Sequence, residues 1–448
     1  MKEVEVIRPV RGRPKTGEQP ISYLFSAVAC GAIIGCLASA TGSLLIVVVA
    51  ALVVPLMIWK PFLGLTGMLL LVPFEELTKF GFSFTLVKVI GAATFIFWFF
   101  QTIFKRQKIK TDLFLWVALL FLAWSSCSLL WTVDRDNGID AILTIIQLVL
   151  FYLMSCNLID SDKKLRAVMG SYIIGATIAA IIAILGVYEA GFATRASVSS
   201  TQDPNHFACA ISVGLILAIY LTCTCRGYQR FLYSASGFLL ALGLLLSGSR
   251  GTWLAVLASI VAAGLYTKSR IFKITLFAAI LIVVLLFNSV IINAMPPLIA
   301  ERIVSIAVLG DRGCGRLDIW MVGLEMVKEN WLTGVGIYGF PTAYNDYLLK
   351  SYNGIKDRDV MLDAHNSFLC LLAELGLLGL LLYSMFWLVS WKYTGRLPGD
   401  PEKTLGICML VYLFFASLTG TEYKMKFFWV GLLIINKLSL FRARLLNR

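Results

Sequence analysis

Apolar runs of membrane-spanning length follow one another along most of this chain. They begin near residue 21 and end near residue 441, and one polar interval, at about 294–364, interrupts the series. A helix that crosses a bilayer needs about 20 apolar residues, within a range of roughly 17–25. Candidate runs lie at 21–39, 42–59, 61–73, 86–104, 113–131, 140–158, 166–189, 206–224, 230–247, 251–267, 271–293, 366–391, 404–420 and 427–441. The run at 61–73 is short, so it and 42–59 read as two spans or as one broken unit. The pattern predicts an all-α polytopic membrane protein with about 12–14 transmembrane helices and one large extracytoplasmic loop that contains amphipathic helices.

The corresponding organisation is a basic N-terminus at 1–20, a transmembrane bundle at 21–293, the large loop at 294–364, C-terminal transmembrane helices at 365–441 and a basic tail at 442–448. The N-terminus mimics a signal peptide, with basic residues, an apolar run from Ile21 and then Ala38-Ser39-Ala40. The run exceeds the roughly 7–15 residues usual for a signal's apolar region, so it reads as an uncleaved first span.

Composition agrees with this pattern. Of 448 residues, 59% are hydrophobic and 15% are charged, and the mean hydropathy is +0.83. Soluble domains carry about a quarter charged residues. The net charge of +13 would suit a nucleic-acid binder, but its placement argues otherwise. Basic residues fall in bursts between apolar runs: Lys105, Arg106, Lys108 and Lys110; Lys163, Lys164 and Arg166; Arg226 and Arg230; Lys268, Arg270 and Lys273; Arg442, Arg444 and Arg448. With the N-terminus inside, every burst falls on the cytoplasmic side, as the positive-inside rule requires. The loop at 294–364 is then outside, and so are the turns that carry Arg195 and Arg250.

Ten cysteines suggest a disulfide framework only until they are located, since Cys314 alone lies in the large loop. The two histidines, His206 and His365, and the absence of metal-ligand spacing lead to an expectation of no metal and no cofactor.

Four outer-face features carry candidate chemistry. Arg195 precedes Asp203-Pro204-Asn205-His206, in which Asp203 and Pro204 read as an ordinary helix start. Arg195 in a short outer loop runs against the insertion bias and fits a phosphate, whether a lipid headgroup or a substrate. The turn Ser247-Gly248-Ser249-Arg250-Gly251-Thr252 joins two spans. Its small residues permit close approach, the following helix start offers amides to an anion, and Arg250 adds a bidentate phosphate ligand. In the loop, Arg316 opens an amphipathic stretch whose Leu317, Trp320, Leu324 and Val327 share one face, able to rest on the membrane interface or simply to pack the loop. Asp363-Ala364-His365-Asn366-Ser367 stands at the outer start of a span. A helix N-terminus disfavours a protonated ring, which leaves His365 a neutral imidazole able to accept a proton.

Some look-alikes are set aside. Gly334-Val335-Gly336-Ile337-Tyr338-Gly339 has the letters of a dinucleotide fingerprint, but it follows a helix rather than a strand. Asp134-Arg135-Asp136 and Asp357-Arg358-Asp359 each place an arginine between the carboxylates, where it repels a cation. Glu374 lies about half a turn off the face of His365 and reads as a supporting residue.

In this order and on this topology, Ser249-Arg250-Gly251, Arg316 with Trp320 leading into Gly334-Val335-Gly336, and His365-Asn366 followed by Glu374-Leu375-Gly376 resemble the O-antigen ligase and O-antigen polymerase superfamily. The resemblance spans most of the chain. It implies a bacterial inner-membrane enzyme with its site facing the periplasm, moving a glycan from undecaprenyl diphosphate to a lipid A-core acceptor (a ligase) or to another carrier-linked repeat (a polymerase). It implies metal-independent transfer with His365 as the catalytic residue and Arg250, Arg316 and Arg195 on the diphosphate. Asn366, Glu374 and Trp320 support them. Expected partners are the lipid-linked donor, the glycan or lipid A-core acceptor and membrane lipids, with no nucleic acid. A polysaccharide or lipid transporter and a noncatalytic assembly scaffold are the readings from other classes. A transporter would place ionisable groups near the midplane and repeat interrupted helices, whereas the notable charges here cluster at the outer edge.

Overall fold

A computed structural model describes residues 60–80, 84–267, 296–301, 315–351, 362–397 and 400–446. The spans expected at 21–39, 42–59 and 271–293, together with Cys314 and the 357–359 triplet, lie outside these residues. The first described helix, α1 (Pro61–Leu71), continues as a 3-10 helix over Val72–Thr78. A two-residue antiparallel ladder, β1 (Lys79–Phe80) with β2 (Phe84–Thr85), then leads into α2 (Leu86–Phe104). The helices α3 (Leu113–Cys127), α4 (Arg135–Leu158), α5 (Asp162–Glu189), α6 (Pro204–Thr224), α7 (Gly227–Leu246) and α8 (Arg250–Tyr266) follow. In the large loop lie α9 (Arg316–Asn330) and α10 (Gly339–Ser351). The C-terminal helices are α11 (Ser367–Gly395), α12 (Asp400–Thr419) and α13 (Lys426–Leu446).

Side-chain caps mark several of these starts. Asp112, Asp134, Ser161 and Asp203 each accept a backbone N–H at the head of α3, α4, α5 and α6, and Asn366 accepts from Phe368 and Leu369 at the head of α11. Each bond satisfies a donor that has no partner within its own helix. Among the described residues nine helices are long and apolar enough to cross a membrane: α1 with its 3-10 extension, α2 to α7, α11 and α12. The 61–73 segment is thus an 18-residue unit, Pro61–Thr78, in its own right. α8 is apolar but only 17 residues long. The fold is that of an all-α polytopic membrane protein.

The core of the bundle is α13. Its side chains are buried almost without interruption from Phe427 to Ser439, and it packs on α4, α5, α6, α11 and α12. Asn436 and Lys437, polar residues in this buried helix, each donate to a neighbour: Asn436 Nδ2 to Tyr152 Oη (3.0 Å) and Lys437 Nζ to the Cys156 carbonyl (2.7 Å). Outward faces stay apolar, with Phe99, Phe100 and Phe104 of α2 and Phe231 and Phe238 of α7 all exposed. In water such faces would be a liability, and in a bilayer they meet acyl chains.

A break in α11 positions the site end of the bundle. It falls at Gly376, whose φ of 66° and ψ of −165° lie in territory open essentially to glycine alone. The segment after α9 fills the break. Val335 N donates to the Ala373 carbonyl (2.9 Å), Gly336 N to that of Glu374 (2.8 Å), and Leu377 N to that of Trp331 (2.9 Å). The glycines of the false dinucleotide motif, Gly334 and Gly336, take positive φ and press against α11 and Thr132. They lock the large loop onto the bundle.

Candidate active site

Four helices bring their starting ends to one narrow cleft. α6 supplies Asp203, Asn205 and His206; α8 supplies Ser249, Gly251 and Thr252; α9 supplies Arg316; and the strap before α11 supplies His365. The turn between α12 and α13 closes the cleft with Thr419, Gly420 and Glu422. Helix starts carry partial positive charge and N–H groups that lack helical partners. α6 and α11 spend theirs on Asp203 and Asn366, whereas Ser249 and Gly315 give α8 and α9 no side-chain cap. The two starts without a side-chain cap are those that carry Arg250 and Arg316.

His365 sits one residue before the Asn366 cap, with φ of 46°. A non-glycine residue held in the left-handed region costs about 1 kcal/mol and persists only where surroundings over-determine it. Here they do. Trp320 Nε1 donates to the Ala364 carbonyl (3.0 Å), Asp363 Oδ1 accepts from Ala364 N and from Thr421 Oγ1 (both 2.8 Å), and Ser367 Oγ donates to the Gly420 carbonyl (2.8 Å). Burial lowers the pKa of His365; Asp363 and Asp203 work against this, and Arg316 and His206 add to it. The imidazole is therefore neutral at neutral pH. Burial is the largest cause of this lowering.

Glu374 is buried within α11. Its Oε1 accepts from Phe340 N at the head of α10 (3.3 Å) and its Oε2 from Tyr423 Oη (3.3 Å). Lys424 completes this support. Burial opposes its charge, but Asp363 and Glu374 outweigh burial and raise its pKa, and its ammonium lies 5.0 Å from the centre of the Tyr338 ring.

Of the three expected arginines, Arg316 lines the cleft, whereas Arg195 and Arg250 are not among its lining residues. Arg195 lies beside the cleft. Its Nε donates to the Ser247 carbonyl (2.7 Å) and its Nη2 to Asn205 Oδ1 (2.8 Å), tying the α7–α8 turn to the start of α6. The amphipathic stretch packs by one face and leaves another open. α9 buries Ile319, Val322, Gly323 and Met326, whereas Leu317 and Leu324 of the expected face are exposed. The reason is the close approach of α10 and α11, since a Cβ on Gly323 would lie 2.9 Å from the Phe340 ring and 3.0 Å from Leu369. The contact with the bundle therefore runs through a glycine, and Leu317 and Leu324 stay outside it.

Two cleft residues carry no functional signal in the sequence. His206 stands there only as a histidine behind a helix start, and Glu422 falls between two apolar runs with no motif around it. Glu422 is 2% exposed, and burial raises its pKa to about 7, opposed by His206. Because the folded value lies above the usual carboxylate range, folding takes up a proton between the two. The stability this confers is complete at acid pH and is lost as pH rises through 7. Glu422→Gln is expected to melt close to wild type near pH 5 and higher than wild type above pH 8, with a difference of up to ~3 kcal/mol. Equal melting temperatures across that range would show that the carboxyl titrates normally.

Residues 235–384 match the family model described as O-antigen ligase. The stretch contains Arg250, Arg316, Trp320, the Gly334–Gly336 lock, His365 and Glu374, and it supplies Ser249, Gly251, Thr252, Arg316 and His365 to the cleft, whereas the contributions of α6 and of the α12–α13 turn lie outside it. No curated protein matches the chain.

Proposed function

We propose, from a family match that covers His365 and Arg316 of the cleft, that this protein is a ligase moving a glycan from undecaprenyl diphosphate to a lipid A-core acceptor at the periplasmic face of the inner membrane. The observation that carries the reading is the meeting of a neutral, rigidly held imidazole with the arginine-bearing starts of α8 and α9. A sugar diphosphate is already activated for transfer. What it requires is a base for the incoming hydroxyl and positive charge for the outgoing diphosphate. His365 takes the proton of the acceptor hydroxyl as that oxygen attacks the anomeric carbon. The carbon–oxygen bond to the diphosphate breaks, its electron pair stays on the diphosphate, and direct displacement inverts the anomeric centre. Arg250 and Arg316, with the amides at the two helix starts, hold the growing negative charge, so the step as written calls for no metal. Arg195 acts from behind, through Asn205 and the Ser247 turn.

A guanidinium presents a planar fork to two phosphate oxygens, which an ammonium cannot do. Arg250→Lys and Arg316→Lys are each expected to lower turnover by about 10²-fold, as loss of a transition-state donor does. Full activity in both variants would remove the diphosphate role. In the host, deletion of the gene is expected to leave long glycan stranded on the carrier beside bare lipid A-core. Core bearing a single repeat would instead identify a polymerase, and an unchanged glycan profile would overturn both.

A further inference from the structure

The cleft holds a group that the transfer chemistry above does not use. Glu422 enters through a pinned backbone: its N–H donates to Ser367 Oγ (2.9 Å), and the same hydroxyl is tied to the Gly420 carbonyl. One carboxylate oxygen, Oε1, accepts from the Cys209 thiol (3.6 Å), which also contacts Thr252 Oγ1 (3.3 Å). Gly420 leaves the space that Oε1 occupies, since a Cβ there would overlap it. The other oxygen, Oε2, is buried and has no hydrogen-bond partner among the described residues, in a residue that lines the cleft with His206 and His365.

An oriented, buried acceptor without a partner is costly unless something occupies the place opposite it. Proteins keep such groups where a ligand completes them. The cleft wall already supplies His365 as a base and Arg316 as a cation, and a carboxylate would repel a diphosphate. What it recognises well is a donor O–H. The ring whose anomeric carbon is attacked must lie between the arginines and His365, and that ring carries hydroxyls.

We propose that Glu422 is a sugar-binding residue, its Oε2 accepting a hydrogen bond from a hydroxyl of the donor ring at the reacting end of the lipid-linked glycan. The inference rests on the glycan-transfer reading and adds to it the group that reads the sugar. It assigns recognition of the diphosphate to the starts of α8 and α9, and recognition of the ring to the α12–α13 turn.

The test uses the full-length protein in detergent and, as donor, the carrier-linked glycan purified from the deletion strain. Glu422→Ala is expected to lower kcat/KM for this donor by about 10²-fold. Glu422→Gln, which keeps an acceptor oxygen without its charge, is expected to lose about tenfold. Gly420→Ala leaves the carboxylate intact but pushes it off its seat, and is expected to match the alanine variant while melting within a few degrees of wild type. Gly420→Ala thus keeps the test valid if Glu422→Ala fails to fold. If Glu422→Ala and Gly420→Ala keep donor kcat/KM within twofold while His365→Asn is inactive, the sugar-binding role is wrong and the transfer reading stands. If His365→Asn and Arg250→Lys are also unimpaired, the transfer reading itself fails.

Discussion

Replacing His365 with asparagine lowers turnover at pH 7.5 by about 10²–10⁴-fold and leaves folding nearly untouched. Asparagine is the informative choice because of the backbone. At φ of 46° alanine would add strain, whereas asparagine visits the left-handed region readily. The strap's other bonds, from Trp320 to Ala364, from Thr421 to Asp363 and from Ser367 to Gly420, do not involve the ring and survive the change. The loss then reports the base rather than the scaffold. The wild-type pH profile supplies a second reading of the same group. Burial, Arg316 and His206 hold the imidazole below its ordinary value despite Asp363 and Asp203. A base must be unprotonated, so kcat/KM should be flat above pH 7 and fall only as pH drops below the usual histidine range. Undiminished turnover in His365→Asn, or a profile still rising above pH 8, would take His365 out of the base role.

Much of this site is legible in the order of residues alone, and the reason is topological. In a membrane protein the hydropathy pattern determines which residues share an end of the bundle, so orientation by itself puts Arg250, Arg316 and His365 on one face. The helix bounds follow for the same reason: the runs at 230–247 and 404–420 correspond to Gly227–Leu246 and Asp400–Thr419. What the pattern hides depends on close contact. Glu422 carries no local signal, because its meaning comes from Cys209 and Ser367, which lie 213 and 55 residues away along the chain. The role of Arg195 is hidden in the same way, since a guanidinium that binds a carbonyl and an amide looks in sequence like one awaiting a phosphate. The packed face of α9 is not visible to periodicity, which counts large residues, and Gly323 offers none.

The glycines of the loop lock yield the largest expected effect on stability. Gly376→Ala should prevent the protein from accumulating in the membrane, or lower its melting temperature in detergent by more than ~10 °C, at a cost of several kcal/mol. Two independent terms act together. The backbone at Gly376 lies where a side chain is strained whatever the space, and a Cβ there would overlap the Leu332 carbonyl. Backbone cannot step aside as a side-chain tip can. Moving Leu332 would pull on the bonds from Val335 to Ala373, from Gly336 to Glu374 and from Leu377 to Trp331, which seat the large loop in the break of α11. Gly334→Ala meets the Glu374 carbonyl from the other side and should behave alike. Gly186→Ala is the control, for its Cβ would enter open space within α5, where alanine favours the helix by about 1 kcal/mol. If Gly376→Ala accumulated and melted like Gly186→Ala, the seam between loop and bundle would not be a lock. The cleft would then owe its geometry to the helix starts alone. If it fails as expected, the arginine of α9 and the imidazole before α11 hold their places because the glycine seam between them admits no side chain.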